Sequence, residues 1–160
     1  MTRSLGDQLP DGVRRLLDGS DLAAREGLTF LLLSTDEAGW PHLAMLSVGE
    51  VVAVDSRTVR VGLWLYSGTT RNLARSGRAT LAVVADGNGY YLRAKARRGA
   101  DLDLGTEGRL ACFALEIEDV EEDSADYASL TSGVTFRLKQ PEQVIPRWQH
   151  TVDALRAAAA

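Results

Sequence analysis

From Leu28 to Leu138 the chain consists of short runs rich in Leu, Val, Ala and Thr, broken at short intervals by Gly, Asp, Asn and Pro. Alternation of period two within such runs buries one side of a strand, and turn residues between them favour antiparallel neighbours. The pattern predicts strands at 28–35, 42–48, 51–55, 58–66, 78–85, 89–98, 110–120 and 134–138. Asp36-Glu37-Ala38-Gly39-Trp40-Pro41 joins the first pair, and Asp86-Gly87-Asn88-Gly89 is a second turn built from residues that tolerate positive φ. Seven or eight antiparallel strands with few helices imply a mainly β fold closed as a barrel, because closure protects the edges.

Helical spacing is confined to three places. Within residues 1–26, Val13, Leu16 and Leu17 share a face and Gly19 ends the segment; a second piece over 21–26 is expected, capped by Ser20 or Asp21. A short helix over 70–76 is expected to be capped by Thr69 or Thr70 and stopped by Gly77. In a C-terminal helix over 141–160, Ile145, Trp148, Val152 and Leu155 recur at three- and four-residue spacing, with Pro146 suited to the first turn and Trp148 a packing or dimer anchor.

At 160 residues the chain is read as one domain. Its apolar runs are too short to span a bilayer and residues 1–7 lack a signal h-region. Cys112 is the single cysteine, set in an apolar alternating run and read as a buried, inert thiol. A cytoplasmic protein that does not bind membranes is expected. With 18 basic against 22 acidic side chains the net charge is -4, which argues against a general nucleic-acid binder.

The strand-to-helix junction Tyr66-Ser67-Gly68-Thr69-Thr70-Arg71-Asn72-Leu73 carries the clearest chemistry. Backbone N–H groups, hydroxyls and a guanidinium converge at one helix N-terminus, an arrangement suited to an anionic phosphate. On the preceding strand Arg60, Gly62, Trp64 and Tyr66 share a face on which something docks, opposite Val59, Val61, Leu63 and Leu65. The run 78–85 is apolar on both faces and expected to be central. Tyr91, Arg93, Lys95 and Arg97 fall on one face, expected to be solvated. Two histidines, His42 and His150, and no Cys-x-x-Cys make a zinc site improbable, so no metal is expected. Neither Gly-x-Ser-x-Gly nor Gly-x-Gly-x-x-Gly occurs.

The order of the pieces is more specific than any one of them. Gly39-Trp40-Pro41-His42, the strand ending Leu63-Trp64-Leu65-Tyr66-Ser67-Gly68, the element from Thr70 to Leu81, and Tyr90-Tyr91-Leu92-Arg93-Ala94-Lys95-Ala96 together resemble the pyridoxamine 5'-phosphate oxidase-like, FMN-binding split-barrel family over residues 28–98. The resemblance implies an antiparallel split β-barrel, a homodimer with the cofactor at the subunit interface, and an FMN-dependent oxidoreductase acting on a small molecule. It implies that Ser67, Thr69, Thr70 and Arg71 hold the FMN phosphate and that Met45, Leu46 and Ser47 line the flavin ring, whereas His42, just after a turn proline, is read as a partly exposed strand residue. Strand alternation by itself predicts that Met45 faces the core. Relatives of this fold also use deazaflavin F420, handle haem or sequester flavin without turnover. Many of them carry Lys or Arg on either side of the phosphate turn, whereas here no charge precedes Arg71. The C-terminal Arg and His motif of authentic pyridoxamine-phosphate oxidases has no clear counterpart in residues 134–156, and no catalytic acid or base is assigned.

Overall fold

The computed structural model describes residues 1–159. Its elements run β1 (Thr2–Ser4), α1 (Asp11–Leu16), β2 (Phe30–Thr35), β3 (Pro41–Leu46), β4 (Val51–Ala53), β5 (Thr58–Trp64), α2 (Gly68–Ser76), β6 (Arg78–Ala85), β7 (Asn88–Arg98), β8 (Leu102–Asp103), a 3-10 turn (Gly105–Glu107), β9 (Arg109–Asp123) and α3 (Pro141–Ala157). The sheet order is β3-β2-β6-β7-β9-β5-β4, every pair is antiparallel, and β1 and β8 add to β9.

Chain geometry forces this sheet to curl. β3 and β4 end the strand order on opposite sides, yet only residues 47–50 join them. Six inter-strand spacings would set the edges of a flat sheet about 29 Å apart, whereas the five steps from Leu46 to Val51 span at most about 18 Å. A turn in which the Glu50 N–H donates to the Ser47 carbonyl at 3.2 Å shortens the reach further. The two edges therefore meet, and the result is a split barrel. β9 spans 15 residues and pairs with β5, β7, β1 and β8, so it carries the barrel wall. Its register shifts where Arg93 and Ala94 face Asp119 and Ile117, a bulge of the kind that increases strand curvature.

The alternating residues of these strands fill the interior: Val59, Val61 and Leu63 of β5, Leu81 and Val83 of β6, and Phe113, Leu115 and Ile117 of β9 are buried. α3 packs across β4, β5 and β8. Thr151 lies over Gly62, and Arg60 Nη1 donates to the Leu155 carbonyl at 2.8 Å, so this helix is what docks on the Arg60–Gly62 face of β5. Burial pushes the Cys112 thiol above its ordinary range. The basic face of β7 faces solvent and is paired with acids of β9, Arg93 with Glu121 at 2.8 Å and Arg97 with Glu116 at 2.6 Å. No helix among the described residues is long and apolar enough to cross a membrane.

Several expectations are corrected. Residues 134–138 form no strand: Thr135 makes one bridge to Leu28 and the Phe136 N–H donates to the Gly27 carbonyl, while both edges of β2 are already taken by β3 and β6. Residues 21–26 form turns, not a helix, consistent with the cost of nucleating so short a segment. The N-terminal segment begins as a strand, because Thr2–Ser4 pairs with the far end of β9. Pro141 opens α3, leaving Pro146 inside the helix; the expected helix ran to Ala160, which lies outside the described residues.

Candidate functional site

Where the barrel splits, a cleft of about 600 Å³ opens between β3 and β5. His42, Ala44, Met45 and Leu46 of β3 form one wall and Gly62, Leu63 and Trp64 of β5 the other. Gly49 and Glu50 of the β3–β4 turn close one end, and Ser67 and Thr69 at the start of α2 also line it. α3 contributes Arg147, Trp148 and Thr151, and the 3-10 turn with the start of β9 supplies Leu104, Glu107, Gly108, Arg109 and Leu110. His150 Nδ1 lies 3.1 Å from Glu107 Oε2, tying that turn to α3.

The α2 end is a set of donors. Ser67 caps the helix, its Oγ accepting from the Thr70 N–H at 3.1 Å, in place of the expected Thr69 or Thr70. Gly77, at φ 66, ends it as expected. The Arg71 N–H is taken by the Ser67 carbonyl, so the amides of Gly68 and Thr69 have no protein acceptor among the described residues, as the first turn of a helix requires. Thr69 is buried, with a hydroxyl that makes no hydrogen bond within the described chain. Thr70 is already engaged: its Oγ1 donates to the Trp64 carbonyl at 2.6 Å, locking the turn between strand and helix. Arg71 is exposed and its Nη1 donates to the Tyr66 carbonyl at 2.7 Å. A Cβ placed on Gly68 would lie 3.2 Å from His42 Cε1 and 3.8 Å from Arg71 Nη2, so imidazole and guanidinium converge over that glycine.

The walls are apolar and partly bare. Met45 is 60% exposed and Trp64 78% exposed, which corrects the expectation that Met45 faces the core. β3 is an edge strand whose inward residues are His42, Ala44 and Leu46, so Met45 lies on the outer side. Leu46 is buried, and Ser47 is buried in the turn with its backbone N–H donating to Glu50 Oε2 at 2.8 Å. Burial raises the Glu50 carboxyl above its ordinary value, against the Ser47 hydrogen bonds and the Arg147 charge, which favour ionisation.

The cleft thus brings together Met45, Leu46, Ser67 and Thr69, and adds His42. Thr70, Arg71 and Ser47 stand beside it without lining it. Sequence reasoning missed Glu50 and Arg147. Gly49 and Glu50 fall between the expected strands 42–48 and 51–55, and nothing in their local pattern marks them until the meeting of the sheet edges turns this junction into a cleft wall. Arg147 sits within a helix whose apolar spacing pointed only to packing. No group of three His, Cys, Asp or Glu side chains suited to a metal occurs among the described residues.

No family model matches the chain. The uncharacterized protein YclD of Bacillus subtilis (strain 168) is 36% identical over 148 residues, spanning 92% of this chain and 96% of YclD. Among solved structures, a Lactobacillus delbrueckii protein provisionally named pyridoxamine 5'-phosphate oxidase superposes with a TM-score of 0.56 at 17% identity, over 74% of this chain and 98% of that one. An F420 reductase gives 0.53 at 12% identity, over 70% and 98%, and HupZ of Group A Streptococcus gives 0.53 at 14%, over 81% and 99%. Likenesses at this identity concern the fold. The chain therefore has the split-barrel fold of these pyridoxamine 5'-phosphate oxidase-like structures, and by its likeness along nearly its whole length it belongs to one family with YclD.

Proposed function

We propose that the protein binds FMN in this cleft and acts as a homodimeric oxidoreductase on a small molecule. The observation that carries this reading is the pair of unpaired amides at Gly68 and Thr69, opening beside the free Thr69 hydroxyl onto an apolar cleft. A phosphate monoester fits that donor set, with the helix dipole, the Arg71 guanidinium and the His42 imidazole adding favourable electrostatics. Gly68 has no side chain to fill the space His42 approaches. Met45, Leu46 and Trp64 offer the flat part of the molecule an apolar wall, and Ser47 fixes the turn below it.

FMN, when bound, supplies the redox chemistry, and the chain supplies binding, orientation and exclusion of water. Trp40, Leu43, Met45, Trp64 and Tyr66 remain substantially exposed. Apolar groups concentrated around a cleft are the kind of surface a partner covers, which supports a second copy completing the site. Deazaflavin F420 is the second reading, favoured by the likeness to an F420 reductase fold, because the same turn would receive its phosphate.

The visible spectrum of the purified protein, followed by titration with FMN, F420 and haemin in turn, tests the proposal. Saturable FMN binding is expected. Binding of haemin alone, or of none of the three, would overturn it.

A further inference from the structure

Resting on the reading of a flavin-type ring in the cleft, we propose that Glu50 and Arg147 recognise the imide edge of that ring, Glu50 accepting its ring N–H and Arg147 donating to an adjacent carbonyl. The two ends of the cleft differ in chemistry. Near α2 it offers donors and positive charge. At the β3–β4 turn it offers a carboxylate with a guanidinium facing the same space.

Glu50 is built as an acceptor. Its backbone carbonyl takes the Gly62 N–H at 2.9 Å, and its Oε2 takes the Ser47 N–H at 2.8 Å, so both backbone and carboxylate are fixed. No hydrogen bond engages Oε1 among the described residues, and it is not sealed from solvent, which leaves it to a donor in the cleft. Arg147 acts on Glu50 by charge without forming an ion pair with it. The guanidinium therefore keeps its donors for another acceptor. An occupant satisfying both groups carries a donor and an acceptor side by side on one edge.

Spacing agrees with this placement. Glu50 sits beside Gly62 on β5, whereas Ser67 follows the end of that strand at Trp64. Two residues of strand cover about 7 Å, and the turn through residues 65–67 adds to the separation. An anionic group at α2 and a ring edge at Glu50 thus belong to opposite ends of one elongated molecule. The imide edge is common to flavins and deazaflavins and absent from haem, so the pair selects by ring chemistry while the helix start selects by charge.

The half-buried Glu50 carboxylate, facing a cleft, is incompletely solvated until a donor meets it. That cost is consistent with the upward displacement of the Glu50 carboxyl. A ligand N–H would offset it, and removal of that N–H would restore it.

The test compares FMN with 3-methyl-FMN, in which a methyl replaces the imide hydrogen, by quenching of flavin fluorescence. Wild type is expected to bind FMN at least tenfold more tightly than the methylated compound. In the isosteric Glu50→Gln variant the preference is expected to collapse to within about twofold, through loss of FMN affinity, since the amide retains the Ser47 contact and turns its NH2 to the cleft. Arg147→Gln, at an exposed position, is expected to weaken FMN severalfold without unfolding the chain. FMN binding in wild type with no preference over 3-methyl-FMN would overturn this inference and leave the cofactor assignment standing. A preference that persists in Glu50→Gln would overturn it as well, because a steric penalty survives an isosteric change. Failure of wild type to bind FMN at all would overturn both.

Discussion

Ser67 shows how one side chain serves fold and site together. Its hydroxyl caps α2, lies 3.0 Å from the Thr70 hydroxyl and lines the cleft. Ser67→Ala removes a side-chain cap, a loss of about 1 kcal/mol, and is expected to lower the melting temperature by about 2–4 °C in a calorimetric scan. Arg71→Ala removes charge from the same end. If its charged hydrogen bonds reach the phosphate, FMN binding should weaken by roughly 1.5–3 kcal/mol, and an unchanged dissociation constant would show a surface residue. Glu50 yields a pH-dependent expectation. Its carboxyl lies above the ordinary 4.5 in the fold, so the associated stability is full below that value and is lost as pH rises through the folded value. Without added flavin, Glu50→Gln should therefore melt higher than wild type at about pH 8 and nearly with it at about pH 4. Equal shifts at both would contradict the burial argument. The strand-to-helix junction at α2 was legible because a strand, hydroxyls and a guanidinium stood together in sequence. Which hydroxyl capped the helix was not, since Ser67, Thr69 and Thr70 are all competent caps and only the closed turn chooses Ser67.

At the scale of elements, the strands could be read because alternation follows directly from the pleat. β5 and β6 came out within two residues of expectation, as did the stop at Gly77. Residues 134–138 share the composition of a strand but find no free edge, a fact that depends on the partners of β2, not on the segment itself. The same kind of distant cause governs the cleft. Its far wall is α3, and the helix reaches it because Gly49 leaves room for the Trp148 indole, whose ring also meets Phe136 edge-on at 6.4 Å. A Cβ at Gly49 would overlap that indole. Gly49→Ala is expected to cost about 1–3 kcal/mol and to red-shift tryptophan emission as Trp148 is displaced. An unperturbed spectrum with wild-type stability would show that α3 does not depend on this contact.

For the whole molecule, the reach of residues 47–50 is decisive: it closes the sheet on itself and sets the acceptor at Glu50 across the cleft from the donors of α2. Apolar side chains left bare around the seam support a partner of the same kind. Sedimentation of this 17.3 kDa chain is expected to report a dimer, and Leu43→Glu to shift it toward monomer with loss of FMN affinity. A monomer that holds FMN tightly would contradict a shared site. The central claim is that this cleft receives a flavin by its phosphate at the start of α2, and the comparison of FMN with riboflavin, which lacks only the phosphate, tests it most directly. In a fluorescence-quenching titration the account predicts saturable binding of FMN and binding of riboflavin weaker by about tenfold or more; equal affinities, or no binding of FMN, would contradict it.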